Sequence, residues 1–301
     1  AITVQEALPG PEDLWLKGSR GLYVHDDFIG GLLRDFVLDI LGRNLATHWF
    51  YIRYSDPEPH LRIRFKGEPR SLVGELLPAL SAWAETLLAG GFCHRLSLDT
   101  YERELERYGG EAGIDIAEEI FCADSDATTE LLALLTRGML ASDRTGLAVL
   151  SLDDLLGSLG LAEGERLEWC RKYVKSRPAG LLYREHKDTL RSVLGEPSQE
   201  MHVRRVLAKR RAAIEPISRR IRALAERAEL GQPPEILFGS YLHLHCNRLL
   251  GTAQFAERNV MDLLRRTRES LTKAPLFSAP KRRGIVPEPD RSKVPRAVAE
   301  P

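Results

Sequence analysis

The sequence is short of cysteine, of charge of one sign and of long apolar runs, and each shortage excludes something. Its 301 residues hold four cysteines, and Cys93, Cys122, Cys170 and Cys246 lie far apart without a CxxC pair. Structural zinc wants clustered ligands and a secreted disulfide framework wants a denser set, so reduced, ordinary buried thiols in a cytoplasmic protein are expected. Lys+Arg and Asp+Glu both total 43, giving a formal net charge of zero, which argues against a dedicated nucleic-acid binder. Arg, Asp or Glu interrupts the apolar runs before they reach the ~20 residues of a membrane span. Residues 1–21 carry no basic-then-apolar signal pattern and the chain does not begin with Met. Either Met has been removed or the chain is a piece of something longer. The phosphate loop GxxxxGK(S/T), GxGxxG after a strand, the GxSxG elbow and HExxH are all missing. Nucleotide hydrolysis, dinucleotide redox, serine hydrolysis and metalloproteolysis are therefore unsupported, and no metal and no cofactor is expected.

What is present reads as a folded α+β chain. A hydrophobic content of 43% beside 29% charged residues is globular. Ile29, Leu32, Leu33, Phe36, Val37, Ile40 and Leu41 follow helical spacing over 28–41. Residues 49–54 and 60–65 alternate instead, with Ser55-Asp56-Pro57-Glu58-Pro59 between them, which predicts a β-hairpin with a five-residue connection. A helix is predicted over 72–89 and a third strand over 95–101. Beyond about residue 112 the pattern is helical: Asp124 or Ser125 suits the N-cap of a helix through Leu135. Helices near 151–159, 163–176 and 180–194 follow, then two long ones over about 201–230 and 235–271, parted by Gly231-Gln232-Pro233-Pro234. The expected architecture is a small antiparallel sheet in the N-terminal third packed with a predominantly helical lobe. The expected domain runs over 1–275, with an α+β part at about 1–112, a helical part at 113–275 and a basic, proline-rich, mobile tail at 276–301.

Charge is segregated inside the neutral total. Eleven acidic residues lie between Ser97 and Glu130 against Arg103 and Arg107, and nine basic ones between Met201 and Leu230 against three acidic. These are either solvated helix faces that pair with one another, or a basic surface for an anionic peptide or RNA.

Three segments carry candidate chemistry. In His60-Leu61-Arg62-Ile63-Arg64-Phe65, strand alternation puts His60, Arg62 and Arg64 on one face, and the register decides whether Arg53 joins them. Such a cationic cluster is costly unless carboxylates or phosphates neutralise it. Either the acidic 97–130 region does so, or the face is an anion site for substrate carboxylates. The segment from Asp99 through Tyr101, Glu104 and Arg107 to Gly109-Gly110 gathers charge and aromatics in a turn after a strand, with Glu104 and Arg107 spaced for local pairing. In Tyr241–Leu250, His243 and Asn247 share a helical face while His245 points elsewhere, so the two histidines cannot converge on one metal. A histidine in an apolar helix is commonly a hydrogen-bonded core residue, yet it is also the side chain best suited to move protons near neutral pH.

These three segments, in this order, resemble the C-terminal region of class I lanthipeptide (lantibiotic) dehydratases, a region that recurs in stand-alone thiopeptide biosynthesis proteins. The likeness runs from about residue 13 to about 270. It implies the eliminating half of a two-step enzyme: a partner region or protein transfers glutamate from glutamyl-tRNA to Ser or Thr of a precursor peptide, and this half expels the glutamate to leave dehydroalanine or dehydrobutyrine. By this resemblance Arg62, Arg64, Arg107 and His243 stand at the elimination residues, while Arg53, His60, Tyr101, Glu104 and Asn247 are expected to bind substrate. Implied partners are the precursor peptide and a separate glutamylating protein, with no direct nucleic-acid contact; a homodimer is left open. The same fold also serves pyridine synthases, which join two dehydroalanines in a formal [4+2] cycloaddition with loss of the leader peptide, and a silent peptide-binding or docking module is a third reading.

Overall fold

A computed structural model describes residues 2–6, 24–56, 59–175, 178–196 and 201–273. The tail over 276–301 and the Pro57-Glu58 tip of the hairpin connection lie outside the described residues. In chain order the elements are β1 (Ile2–Glu6), α1 (24–42), β2 (His48–Tyr54), β3 (His60–Lys66), α2 (Pro69–Ala89), β4 (Cys93–Leu98), α3 (Glu111–Thr136), α4 (Arg144–Ser158), α5 (Glu163–Tyr173), α6 (Gly180–Gly195), α7 (Met201–Glu226), α8 (Pro234–Leu250) and α9 (Gln254–Lys273). The chain is α+β, as its periodicities indicate.

The strands form one antiparallel sheet in the order β2-β3-β1-β4. The hairpin falls where alternation predicts it, with Trp49 opposite Phe65 and Tyr54 opposite His60. β1 has no counterpart in the sequence reading, yet it lies inside the sheet, pairing with β3 and with β4. Five residues distant in sequence from either partner give no hairpin signal, which is why the sheet read as smaller than it is.

The two sheet faces have different fates. Leu61 and Ile63 of β3 are buried beside Trp49 and Tyr51 of β2, and this face extends through Phe65, Phe36 and Trp83 into α1 and α2. The middle of α1, Phe28–Leu33, is π-helical. There Gly30 packs so tightly on α3 that a Cβ would lie 2.6 Å from the Ala133 nitrogen, a close approach that only glycine permits. Helix α2 is long and apolar enough to cross a membrane, which the interrupted runs did not suggest. Leu76, Leu80, Ala84 and Leu87 of α2 are buried in this core.

Helix α3 is the axis of the molecule. It starts at Glu111 rather than near Asp124, so the expected N-cap at Asp124 or Ser125 is instead mid-helix and buried. Those residues are polar because they face partners brought from far along the chain. The Ser125 hydroxyl accepts from the Tyr51 N–H, Arg210 and Arg248 donate to Asp124, and the His245 ring bonds the same carboxylate. The second long helix of the sequence reading is broken by Gly251, whose φ is +90°, into α8 and α9. The acidic and basic segments meet each other: Arg220 bonds Glu119 and Arg210 bonds Asp124. Of the two readings of segregated charge, mutual pairing is the one seen.

Candidate active site

The second sheet face carries most of the candidate residues. β2 is an edge strand, and unpaired N–H and C=O groups there would be costly if left buried without partners. The helices supply those partners. Asn247 of α8 presents its side-chain carbonyl to the Arg53 N–H (2.8 Å) and its amide N–H to the Arg53 carbonyl (2.9 Å). Arg248 Nε donates to the Tyr51 carbonyl at 2.9 Å, and Ser125 takes the Tyr51 N–H at 3.3 Å. Both ends of the Asn247 amide are thus committed to backbone, so this residue, expected to bind substrate, is a strand mimic that docks α8.

Arg53 does not join the arginine face. The register pairs it with Leu61, on the opposite side from His60, Arg62 and Arg64. Its buried guanidinium bonds Asp26 at 2.8 Å and the Arg248 carbonyl at 2.6 Å. Arg144 joins the same Asp26 and donates to the Leu249 carbonyl at 2.9 Å. Two cations at the C-terminal carbonyls of α8 complement its dipole, and Asp26 balances their charge. Arg53 therefore holds the helix that bears His243.

His60, Arg62 and Arg64 do share a face, with Tyr54 and Phe50 of β2. Tyr54 stacks on His60 with ring centroids 5.2 Å apart, and the Arg62 guanidinium lies 4.1 Å over the Tyr54 ring. Arg64 lies between rings, 5.2 Å from the Phe50 centroid and 4.6 Å from that of Tyr101. Cation–π contact of this kind offsets part of the cost of partial burial. Among the described residues neither arginine has a carboxylate partner: Arg62 Nε meets His60 Nε2 at 3.3 Å, and Arg64 Nε and Nη1 are buried without a hydrogen bond. The nearby acidic groups are engaged elsewhere. Glu118 binds Arg103 at 2.8 Å and Lys66 at 3.5 Å, and Asp115 also binds Arg103.

The 99–110 segment roofs this face. Burial and the adjacent Glu118 push the Tyr101 hydroxyl pKa up, so it stays protonated. Arg107 Nη1 bonds Glu104 at 3.1 Å, the local pair that the spacing suggested. Burial disfavours the Arg107 cation, but Tyr108, Glu104 and Tyr54 outweigh it and its pKa is raised. Tyr54 thus links Arg62, which it touches, to Arg107, within whose electrostatic reach it lies. Gly109 and Gly110, at φ +86° and +84°, turn the chain from Arg107 into α3, a conformation that an L side chain would strain. The α7–α8 loop then fixes this turn: Gly231 N–H donates to the Gly109 carbonyl at 3.1 Å and the Gln232 amide to the Glu106 carbonyl at 2.7 Å. Buried Tyr108, its hydroxyl pushed up to about 12 chiefly by burial, stacks on Tyr241 of α8 at 6.2 Å.

His243 is bracketed by these contacts. It lies between Tyr241, which touches Tyr108, and Asn247, one turn on, which grips β2. Its Nδ1 is 2.8 Å from Glu257 Oε2 of α9, a hydrogen bond in which the carboxylate accepts from the ring N–H. Sequence reasoning missed Glu257, because 14 residues and a glycine turn separate it from His243. It missed Tyr54 too, although strand parity with His60 was there to show it. His245, by contrast, is a core residue: fully buried, its Nδ1 lies 2.8 Å from Asp124. Burial lowers its pKa despite that carboxylate, so the ring is neutral near neutral pH. No group of three or more His, Cys, Asp or Glu that could hold a metal occurs among the described residues.

The fold and site define an α+β domain with an arginine face that lacks carboxylate partners among the described residues, and a histidine bonded to a carboxylate. The chain belongs to the lantibiotic biosynthesis dehydratase C-terminal family, whose model matches residues 20–268. It is 26% identical over 259 residues to the subtilin biosynthesis protein SpaB of Bacillus subtilis, covering 84% of this chain and 24% of that protein. It is 34% identical over 136 residues to the nisin biosynthesis protein NisB of Lactococcus lactis subsp. lactis, covering 45% of this chain and 13% of that one. The chain thus spans about a quarter or less of these relatives' length. The tRNA-dependent lantibiotic dehydratase MibB from Microbispora sp. 107891 matches in structure with a TM-score of 0.75 at 26% identity, over 90% of this chain and 28% of MibB. The pyridine synthase TbtD from thiomuracin biosynthesis shares the fold, with a TM-score of 0.58 at 15% identity, over 90% of this chain and 98% of TbtD.

Proposed function

We propose that this chain is a glutamate-eliminating lyase of lantibiotic-type peptide maturation. The observation that carries the reading is the pair Arg62 and Arg64, two guanidiniums on one strand face without a carboxylate partner among the described residues, in a region otherwise dense with paired acids. In the proposed step the Cα proton of a glutamylated Ser or Thr leaves to a base and the Cα=Cβ bond forms. The Cβ–O bond breaks with its electron pair going to the departing glutamate. Charge builds on the amide oxygen next to Cα and on the leaving carboxylate. Preorganised arginines stabilise such charge where water is scarce; Arg62, Arg64 and Arg107 hold that role, and a guanidinium fork suits a carboxylate bidentately. His243, with Nδ1 bonded to Glu257, offers Nε2 to move the proton, a role worth roughly 10²–10⁴ in rate. The substrate is a ribosomally made precursor peptide already glutamylated by a separate protein or region. Three of the four cysteines are buried and all four are free thiols, which suits a reducing cytoplasm.

The test is a peptide carrying a chemically installed glutamyl-serine, incubated with the purified chain and followed by mass. Loss of glutamate with formation of dehydroalanine is the expected result, and His243→Ala should leave the glutamylated peptide intact. Release of a macrocycle from a dehydrated peptide would replace this reading with cycloaddition, and unchanged mass with measurable binding would replace it with a silent module.

A further inference from the structure

A cavity of about 270 Å³ opens at the elbow between α8 and α9. Its walls are Leu182 of α6, Leu250 at the end of α8, and Phe255 and Val260 of α9, with Arg144 and Asn259 at its polar edge. Phe255 at its mouth is 70% exposed, an unusual state for a large aromatic side chain. Leu250 is seven residues beyond His243, two helical turns and thus nearly the same face, roughly 10 Å along the axis. An extended peptide rises about 3.3 Å per residue and covers that distance in about three residues.

We propose that this cavity is a side-chain subsite for the precursor peptide, taking an apolar residue about three positions from the one undergoing elimination. The apolar walls favour Leu, Ile, Val or Phe over polar or charged residues. Asn259 at the edge offers its amide to the peptide backbone, while Arg144 is held by Asp26 and the Leu249 carbonyl. The inference rests on His243 marking the reacting centre and adds a determinant of which Ser or Thr is processed.

A glycine-rich host peptide with a central glutamyl-serine and one leucine, moved through about four positions on either side, tests it. Affinity is read by fluorescence anisotropy of the labelled peptide and elimination by mass. Binding should tighten about tenfold when leucine lies about three residues from the serine on one side, the effect of burying part of one apolar side chain. Phe255→Asp, which polarises the mouth, and Ala256→Leu, which fills the cavity, should each remove that peak and leave the leucine-free peptide bound and processed as before. Equal affinity at every leucine position would overturn the proposal, as would a peak that survives both substitutions. A positional peak without elimination would keep the subsite and remove the lyase reading. Elimination without a peak would do the reverse.

Discussion

Asp124→Asn is the most informative single change for the architecture. Asp124 is 1% exposed, and its Oδ1 accepts from Arg210 Nη1 and bonds His245 Nδ1, both at 2.8 Å, while Oδ2 accepts from Arg248 Nη1 at 2.9 Å. Burial opposes ionisation of Asp124, but His245, Arg210 and Arg248 together outweigh it and hold its carboxyl well below the usual range. Asparagine keeps the shape and removes the charge, and its NH2 group must turn a donor toward at least one donor of this ring. Arg210 retains Asp154 at 3.3 Å and the Ser151 carbonyl at 2.6 Å. Among the described residues Arg248 retains only the Tyr51 carbonyl as a hydrogen-bond acceptor, and it lies 5.4 Å over the Phe121 ring. Breaking one side of a buried ion pair costs about 3–5 kcal/mol, and Arg248 left without a counter-charge puts this variant within that range. Against a total of about 5–15 kcal/mol for a domain, that is a large fraction. Urea unfolding followed by far-UV circular dichroism measures it as a fall in midpoint at unchanged slope. Arg220→Ala, which breaks the exposed pair with Glu119, should cost under about 1 kcal/mol in the same assay. A similarly small loss for Asp124→Asn would refute the idea that this carboxylate joins the helical lobe.

Other expected outcomes concern the site and its supports. Asn247→Ala leaves the Arg53 N–H and C=O at the β2 edge without partners and should cost about 2–4 kcal/mol, two unsatisfied groups at roughly 1–2 each, read from the same unfolding curves. Glu257→Gln keeps the size but not the charge that orients His243, and should lower the elimination rate by at least about tenfold with little change in peptide affinity. An unchanged rate would leave Glu257 with no part in the step. Arg62→Lys retains charge and loses the fork; impaired elimination is expected, and near-normal activity would sink the bidentate role. Because burial holds His245 neutral, its folded pKa lies below the 6.5 of an unperturbed ring. Its contribution to stability is complete above about pH 6.5 and is lost as pH falls toward the folded value, since the unfolded chain binds the proton first. His245→Gln should flatten that part of the stability–pH curve.

Local patterns were legible and distant partnerships were not. Alternation found β2 and β3, and helical spacing found α1 and α2, because each signal is contained in a few adjacent residues. The face shared by His60, Arg62 and Arg64 follows from strand parity alone. Whether Arg53 belonged to it depended on register, and the register puts it on the far side, against Asp26. Asp124 and Ser125 looked like a cap because short polar residues favour helix starts; their true partners, Tyr51, Arg210, His245 and Arg248, are all more than seventy residues away. β1 escaped notice for a related reason, since an isolated strand advertises no neighbour. His243 was visible as a residue type, whereas Glu257, which gives it a direction, was not.

The side-chain bonds that seal the edge of β2 also bear on time. Asn247 and Arg248 fasten α8 to the strand, and Arg53 and Arg144 hold its last carbonyls, so the helix that bears His243 is tied to the sheet that bears the arginine face. A site built this way has no lid to close through α8. Under the function proposed above, a peptide taken through several rounds has to slide past fixed groups, because α8 is fastened at both its flank and its end.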